Sequence, residues 1–296
     1  MKKECFLGLS PEGFHKVSYS EWGARSDSPP VICVHGLTRL NHDFDALSTH
    51  LAMRGHHVFC PDIVGRGDSD WLSDPLHYTY EQYLADMNVM IARTLANSVD
   101  WVGTSMGGII GLMLAAQPNS PIRRLVLNDI GPQIPAKALA RLYEYAGKDP
   151  DFSSLAEAKT YYQKIYADFG ELTDAQWDYL VSNSVREIAN GHFASKLDHS
   201  VKTTPAKSSI AWKLLFNPHK ALEGTFFDID LWHLFRNITC PILVIHGAKS
   251  DILTTSIIEK MRAIHSNTIV HTVANAGHAP ALQDESQHTV IQQFLK

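Results

Sequence analysis

Val99-Asp100-Trp101-Val102-Gly103-Thr104-Ser105-Met106-Gly107-Gly108-Ile109-Ile110 is the stretch that decides the fold. An apolar run predicts a strand over 99–103, and a Gly/Ala-rich apolar stretch predicts a helix over 106–116. Between them Gly103-Thr104-Ser105-Met106-Gly107 matches G-x-S-x-G, and strand before with helix after is the setting that motif requires. A turn this sharp lifts the serine hydroxyl above the sheet edge and strains the backbone at the serine itself. Glycines two positions away on either side leave room for the strand and helix to approach. The helix start behind Ser105 offers unpaired N–H groups and the positive end of a dipole.

Moving outward, short apolar runs alternate with longer amphipathic ones. Strands are expected at 14–22, Val31–Val34, His57–Cys60 and Leu125–Leu127, with helices over 43–54 and 80–96. Strands alternating with helices predict a mostly parallel sheet built by right-handed crossovers. From about 133 to 236 the rhythm breaks into helical patterns (Leu139–Tyr145, Leu155–Phe169, Trp177–Val185) without compact β runs. Sheet rhythm returns at Pro241–His246, a helix near 255–265, a strand at Thr268–Val273 and a helix at 280–295. The expected organisation is therefore a core of residues 1–132 and 237–296, interrupted by a helical cap at 133–236.

A serine hydroxyl needs a base to take its proton, and in this architecture the base lies late, with its acid partner between. His278, in Asn275-Ala276-Gly277-His278-Ala279-Pro280, follows the strand at 268–273 and is the expected base. The expected acid is Asp251, in His246-Gly247-Ala248-Lys249-Ser250-Asp251, a short loop beyond the strand at 242–245. Asp129, directly after the strand at 125–128, is the rival; its other reading is a structural carboxylate. The N–H groups of Leu37, in His35-Gly36-Leu37-Thr38, and of Met106 are the natural oxyanion donors. Arg39 is a candidate for holding a substrate carboxylate. Tyr143, Tyr145, Trp177, Trp212 and Phe216 either line the pocket or pack the cap helices.

Sixteen histidines invite metal chemistry, but the sequence holds neither H-E-x-x-H nor a His/Cys cluster at zinc spacing, and no metal is expected. Most of these histidines are read as surface or satisfied core residues, with His56-His57 a solvated pair. No phosphate-binding glycine motif is complete. A net charge of −5 gives no global reason to bind nucleic acid. No apolar window is long enough for a membrane span, and no apolar stretch follows Lys2-Lys3 as a signal peptide would require. Cys5, Cys33, Cys60 and Cys240 are scattered and read as small buried thiols. A cytoplasmic protein is the expectation.

Taken together, His35-Gly36, Pro61-Asp62-Ile63-Val64-Gly65-Arg66-Gly67-Asp68-Ser69, Gly103 to Gly108, Ser250-Asp251 and Gly277-His278 resemble the motifs of the α/β-hydrolase superfamily. The pieces run from residue 35 to 278. The resemblance implies an eight-stranded, mostly parallel sheet with a helical cap where 133–236 falls. It implies that 61–69 is the family's D-x-x-G-x-G-x-S turn near the pocket. Members that open epoxides or remove halide carry aspartate at the elbow, and Ser105 argues against those reactions. The expected activity is hydrolysis of small acyl esters through a Ser105–His278–Asp251 triad and an acyl-enzyme, with no cofactor. Hydrolysis of C–C or amide bonds in catabolic intermediates is the alternative, and a non-catalytic binding protein on the same fold is a third. The partner is a small-molecule ester; the oligomeric state is open.

Overall fold

The computed structural model describes residues 1–145, 150–202 and 228–296. Eight strands form the central sheet: β1 (Lys2–Ser10), β2 (Gly13–Trp22), β3 (Val31–Val34), β4 (Val58–Pro61), β5 (Val99–Thr104), β6 (Ile122–Asn128), and two late strands at Ile242–Gly247 and Thr268–Val273. Their spatial order is β1-β2-β4-β3-β5-β6 followed by the two late strands. Only β2 runs against its neighbours; every other pairing from β4 onward is parallel. The central strands are covered on both faces, which is why they read as continuous apolar runs. β1 instead alternates, with Phe6, Gly8 and Ser10 inward and Leu7 and Leu9 exposed. Its charges and its glycine hide it in the sequence, and it is an element the sequence reading missed.

Helices α1 (Asp45–Ala52), α2 (Tyr80–Arg93) and α3 (Met106–Ala115) make the crossovers. α3 lies in the middle of the molecule, and all its residues except Leu114 are buried. At ~1.5–3 kcal/mol for each large apolar side chain removed from water, burial decides its helical state despite three glycines.

After β6 the chain leaves the sheet. Its first residues, β7 (Gln133–Ile134), pair antiparallel with a strand at Ile229–Asp230. Three helices follow β7: α4 (Ala136–Tyr145), α5 (Leu155–Ile165) and α6 (Asp174–Ser184). Next come β8 (Val185–Glu187) and β9 (Phe193–Ser195), an antiparallel pair. The strand at 229–230 is thus β10, and α7 (Trp232–Phe235) leads back to the sheet. Among its described residues the interrupting region therefore holds two short β ribbons that the helical patterns concealed. Phe152, Ala158, Tyr162, Tyr166, Trp177, Val181 and Val185 give it an apolar cluster of its own. The two late sheet strands are β11 (Ile242–Gly247) and β12 (Thr268–Val273), with α8 (Thr255–Ile264) between them and α9 (Glu285–Leu295) last. Among the described residues no helix is long and apolar enough to cross a membrane.

Cys33 and Cys60 are buried, whereas Cys5 is exposed on β1, contrary to the reading of all four as buried thiols. His56 is buried rather than solvated, and His57 pairs with Glu21.

Candidate active site

Ser105 sits at the turn from β5 into α3 with φ +49°, a conformation that side chains rarely adopt. Two close approaches hold it there. A Cβ on Gly107 would lie 2.0 Å from the Val34 carbonyl oxygen, and one on Gly103 would lie 2.3 Å from the Gly107 carbonyl oxygen. The Trp101 indole N–H donates to that same Gly107 carbonyl (2.9 Å), and the Ser105 N–H donates to the Asn128 carbonyl (3.1 Å).

His278 meets this serine from the opposite loop. The Ser105 hydroxyl lies 2.9 Å from His278 Nε2. On the other side of the ring, His278 Nδ1 lies 2.9 Å from Asp129 Oδ2. A carboxylate accepts only, so Nδ1 carries the proton and Nε2 is left to accept from the serine. The histidine loop is pinned on both flanks by backbone. The Gly277 N–H donates to the Asp168 carbonyl (2.7 Å), and the Ala281 N–H donates to the Phe169 carbonyl (3.1 Å). The Asn128 amide spans the site, donating to Thr104 Oγ1 (3.0 Å) beside the serine and to the Pro280 carbonyl (2.8 Å) in the histidine loop.

Asp129, not Asp251, is the carboxylate on the histidine. It follows β6 directly, with its N–H still in the ladder to Ile245 (2.8 Å) and φ +52° turning the chain. Aspartate tolerates that left-handed conformation better than most residues. Its side chain is fully buried. It accepts from the Gly247 N–H (2.8 Å) and the Ser250 hydroxyl (2.5 Å) as well as from His278. Three donors offset the cost of burying the charge.

Asp251 is 48% exposed and is turned to the cap. Its carboxylate takes both Arg141 Nε (2.8 Å) and Nη2 (2.7 Å), and these bonds hold it below the usual carboxylate range. The chain order of serine, acid and histidine fits either aspartate. What decided between them was the left-handed turn at Asp129 and the presence of an arginine 110 residues away from Asp251.

Arg39 is also not placed as expected. Its guanidinium is buried, bound to Asp43 through Nε (2.9 Å) and Nη2 (2.5 Å), and Nη1 donates to Ser184 Oγ on α6 (3.0 Å). These bonds commit it to tying α6 to the core instead of meeting a substrate carboxylate. It still walls a crevice, together with Thr104, Phe169, Ala279, Pro280 and Leu282, that runs from the serine and histidine loops toward the underside of α6.

Leu37 and Met106 flank the serine. The Gly36 Cβ position lies 3.7 Å from Ser105 Cβ, so the turn carrying Leu37 passes close beside the serine. Met106 is the first residue of α3, where an N–H has no acceptor within its own helix. Behind them His35 is fully buried. Its Nδ1–H donates to the Gly36 carbonyl (2.8 Å) and its Nε2 accepts from the Ile63 N–H (3.0 Å). Burial pushes its pKa down to about 3, with Arg66 and Arg39 adding to the effect, so it stays neutral.

Trp177 packs inside the cap cluster. Trp212 and Phe216 lie outside the described residues, as do the side chains of Tyr143 and Tyr145. Among the described residues no group of three or more His, Cys, Asp or Glu side chains is arranged to hold a metal ion.

A family model described as the alpha/beta hydrolase fold matches residues 29–285. The chain is 36% identical to a 3-hydroxybutyrate-oligomer hydrolase of Cupriavidus necator, over 97% of this chain and 95% of that protein. It is 25% identical to the esterase Rv0045c of Mycobacterium tuberculosis, over 93% of this chain and 84% of that one. A solved alpha/beta hydrolase from Novosphingobium aromaticivorans superposes with a TM-score of 0.82 at 30% identity, covering 99% of this chain and 98% of its own.

Proposed function

This chain belongs to the α/β-hydrolase family, and from that premise we propose that it hydrolyses carboxylic esters of small acyl groups through a Ser105–His278–Asp129 triad. The observation that carries this reading is the continuous hydrogen-bonded line from Ser105 Oγ through both ring nitrogens of His278 to a buried, three-donor carboxylate. Residues 133–236 act as the cap and the remainder as the core.

His278 Nε2 takes the Ser105 proton as Oγ attacks the ester carbonyl. The imidazolium that forms is stabilised by Asp129, which also fixes the tautomer. The N–H groups of Leu37 and Met106 hold the developing oxyanion; losing one such donor typically costs ~3 kcal/mol of transition-state stabilisation. When the tetrahedral intermediate collapses, the alcohol leaves with the proton from His278, and the acyl group stays on Ser105. Water, deprotonated by His278, then attacks the acyl-enzyme and releases the acid. No step calls for a cofactor.

The relative that acts on 3-hydroxybutyrate oligomers narrows the substrate. We infer that short linear esters of hydroxy acids, in which acyl and alcohol parts are both small, are the natural class. The test compares wild type with Ser105→Ala on p-nitrophenyl acetate, butyrate and octanoate and on the linear dimer of 3-hydroxybutyrate. Turnover of the short esters and the dimer that disappears in Ser105→Ala supports the reading. Labelling of Ser105 by a fluorophosphonate without turnover of any ester would leave the nucleophile standing and overturn the substrate class.

A further inference from the structure

Arg66 is a charged side chain beside the site with no exposed surface. It lies in the Gly65-Arg66-Gly67 turn, facing inward. Its Nε–H donates to the Leu37 carbonyl (3.1 Å) and its Nη2 lies 3.7 Å from Met106 Sδ. The remaining nitrogen, Nη1, donates to the Val64 carbonyl (2.8 Å) and the Tyr83 hydroxyl (2.9 Å). Among the described residues none of these acceptors is a carboxylate. The rings of Tyr83 and Tyr78 lie 5.1 Å and 5.8 Å from its Cζ, so aromatic faces supply part of the compensation.

A guanidinium with no counter-ion in contact is costly to bury, and an apolar side chain of the same volume would fill this space at lower cost. What the arginine does here, and methionine would not, is bind the two residues proposed to supply the oxyanion donors. Leu37 is gripped at its carbonyl, which fixes the peptide just beyond its N–H. Met106 is gripped at its side chain, one residue beyond the strained Ser105. One rigid, planar group thereby bridges Leu37 and Met106, which lie just beyond Val34 and Gly103, the last residues that pair the neighbouring strands β3 and β5.

We propose that Arg66 is the positioning residue of the oxyanion hole, holding Leu37 and Met106 at their working separation and placing a positive charge behind the developing oxyanion. Its charge is unscreened by water, so it favours the negative transition state over the neutral ester. It touches neither substrate nor reacting atoms. The proposal rests on the serine-hydrolase reading above.

The experiment measures kcat and KM on p-nitrophenyl butyrate for wild type, Arg66→Met and Arg66→Lys, each normalised to active sites titrated with diethyl p-nitrophenyl phosphate. The Ki of phenylboronic acid, which becomes tetrahedral on the serine, is measured in parallel. Arg66→Met is expected to lower kcat by about 10–100-fold, below the 10²–10³ of deleting a donor outright, with KM within about 3-fold. The boronate Ki should weaken by the same factor as kcat falls. Arg66→Lys, which keeps the charge but not the fork, should recover part of both losses. A kcat per titrated site within about 2-fold of wild type in both variants, or a loss confined to KM, overturns the proposal. If Arg66→Met does not fold, Arg66→Lys decides by the same criterion. Wild-type activity that survives Ser105→Ala would instead overturn the reading of Ser105 as nucleophile, on which the proposal rests.

Discussion

Two strand ends that carry the same kind of side chain have opposite fates. β6 is followed directly by Asp129 and β11 at a short loop by Asp251; both lie at the carboxyl edge of the sheet, near one histidine. Asp129 is buried and takes three donors from the core. Asp251 is half-exposed and takes an arginine from the cap. The lesson is that proximity and chain order do not select a triad acid. The carboxylate that meets His278 is the one whose solvation shell has been replaced by fixed donors aimed at it, and such a group can hold a histidine in place without reorganising.

The sharpest way to break this comparison is Asp129→Asn against Asp251→Asn. Asparagine at 129 keeps the shape but donates where it should accept, turning His278 to the wrong tautomer. A fall in kcat of about 10⁴ is expected on p-nitrophenyl butyrate. If Asp251→Asn shows the larger loss, the assignment reverses.

A third strand end extends the contrast to stability. His35 follows β3 and remains neutral in the folded state down to about pH 3, while in the unfolded chain it titrates near 6.5. The folded pKa is depressed, so its contribution is fully present above pH 6.5 and is lost as pH falls from 6.5 toward 3. The loss approaches ~1.4 kcal/mol per pH unit in that window. His35→Gln should flatten the fall of unfolding free energy between pH 6.5 and 4.5, measured by urea titration at each pH. Asp62 contributes with the opposite sign. Burial raises its carboxyl to about 6, so it gains stability as pH falls from 6 toward 4, but it does so in both proteins and cancels from the difference.

Smaller effects sharpen the picture around Asp129. Ser250→Ala removes one of its donors and should lower kcat about 10-fold, the size of one hydrogen bond to a charged group, with KM unchanged. Asp251→Asn itself should leave kcat within about 3-fold and change unfolding free energy by no more than about 1 kcal/mol, as befits a half-exposed pair. A stability loss well beyond that in a urea titration would mean the Arg141 contact anchors the cap more firmly than its exposure implies.

Much of this was legible in the chain. Runs such as Val31–Val34 and Val99–Gly103 announce strands covered on both faces, and Gly103 to Gly107 announces the elbow because nothing larger fits its contacts. Ser105 and His278 follow from that frame, and the structure brings them into contact. Three features were hidden, each for a physical reason. The carboxylate on His278 depended on a left-handed residue directly after a strand, which leaves no apolar pattern. Its only trace is an Asp, tolerant of that conformation, before Ile130-Gly131-Pro132. Arg39 reads as a free cation until the fold delivers Ser184 from the cap. The edge strand β1 lacks the continuous apolar run because one of its faces is open to solvent.

The ribbon of Gln133–Ile134 against Ile229–Asp230 has a consequence of another kind. It brings the entry and the exit of the whole insertion to one doorway. For the core's loop-closure entropy, everything beyond that doorway counts as a turn of a few residues. Closure of the sheet is therefore insensitive to the length of the sequence past the doorway, while Asp168, Phe169 and Ser184 reach back through it to hold the histidine loop and Arg39.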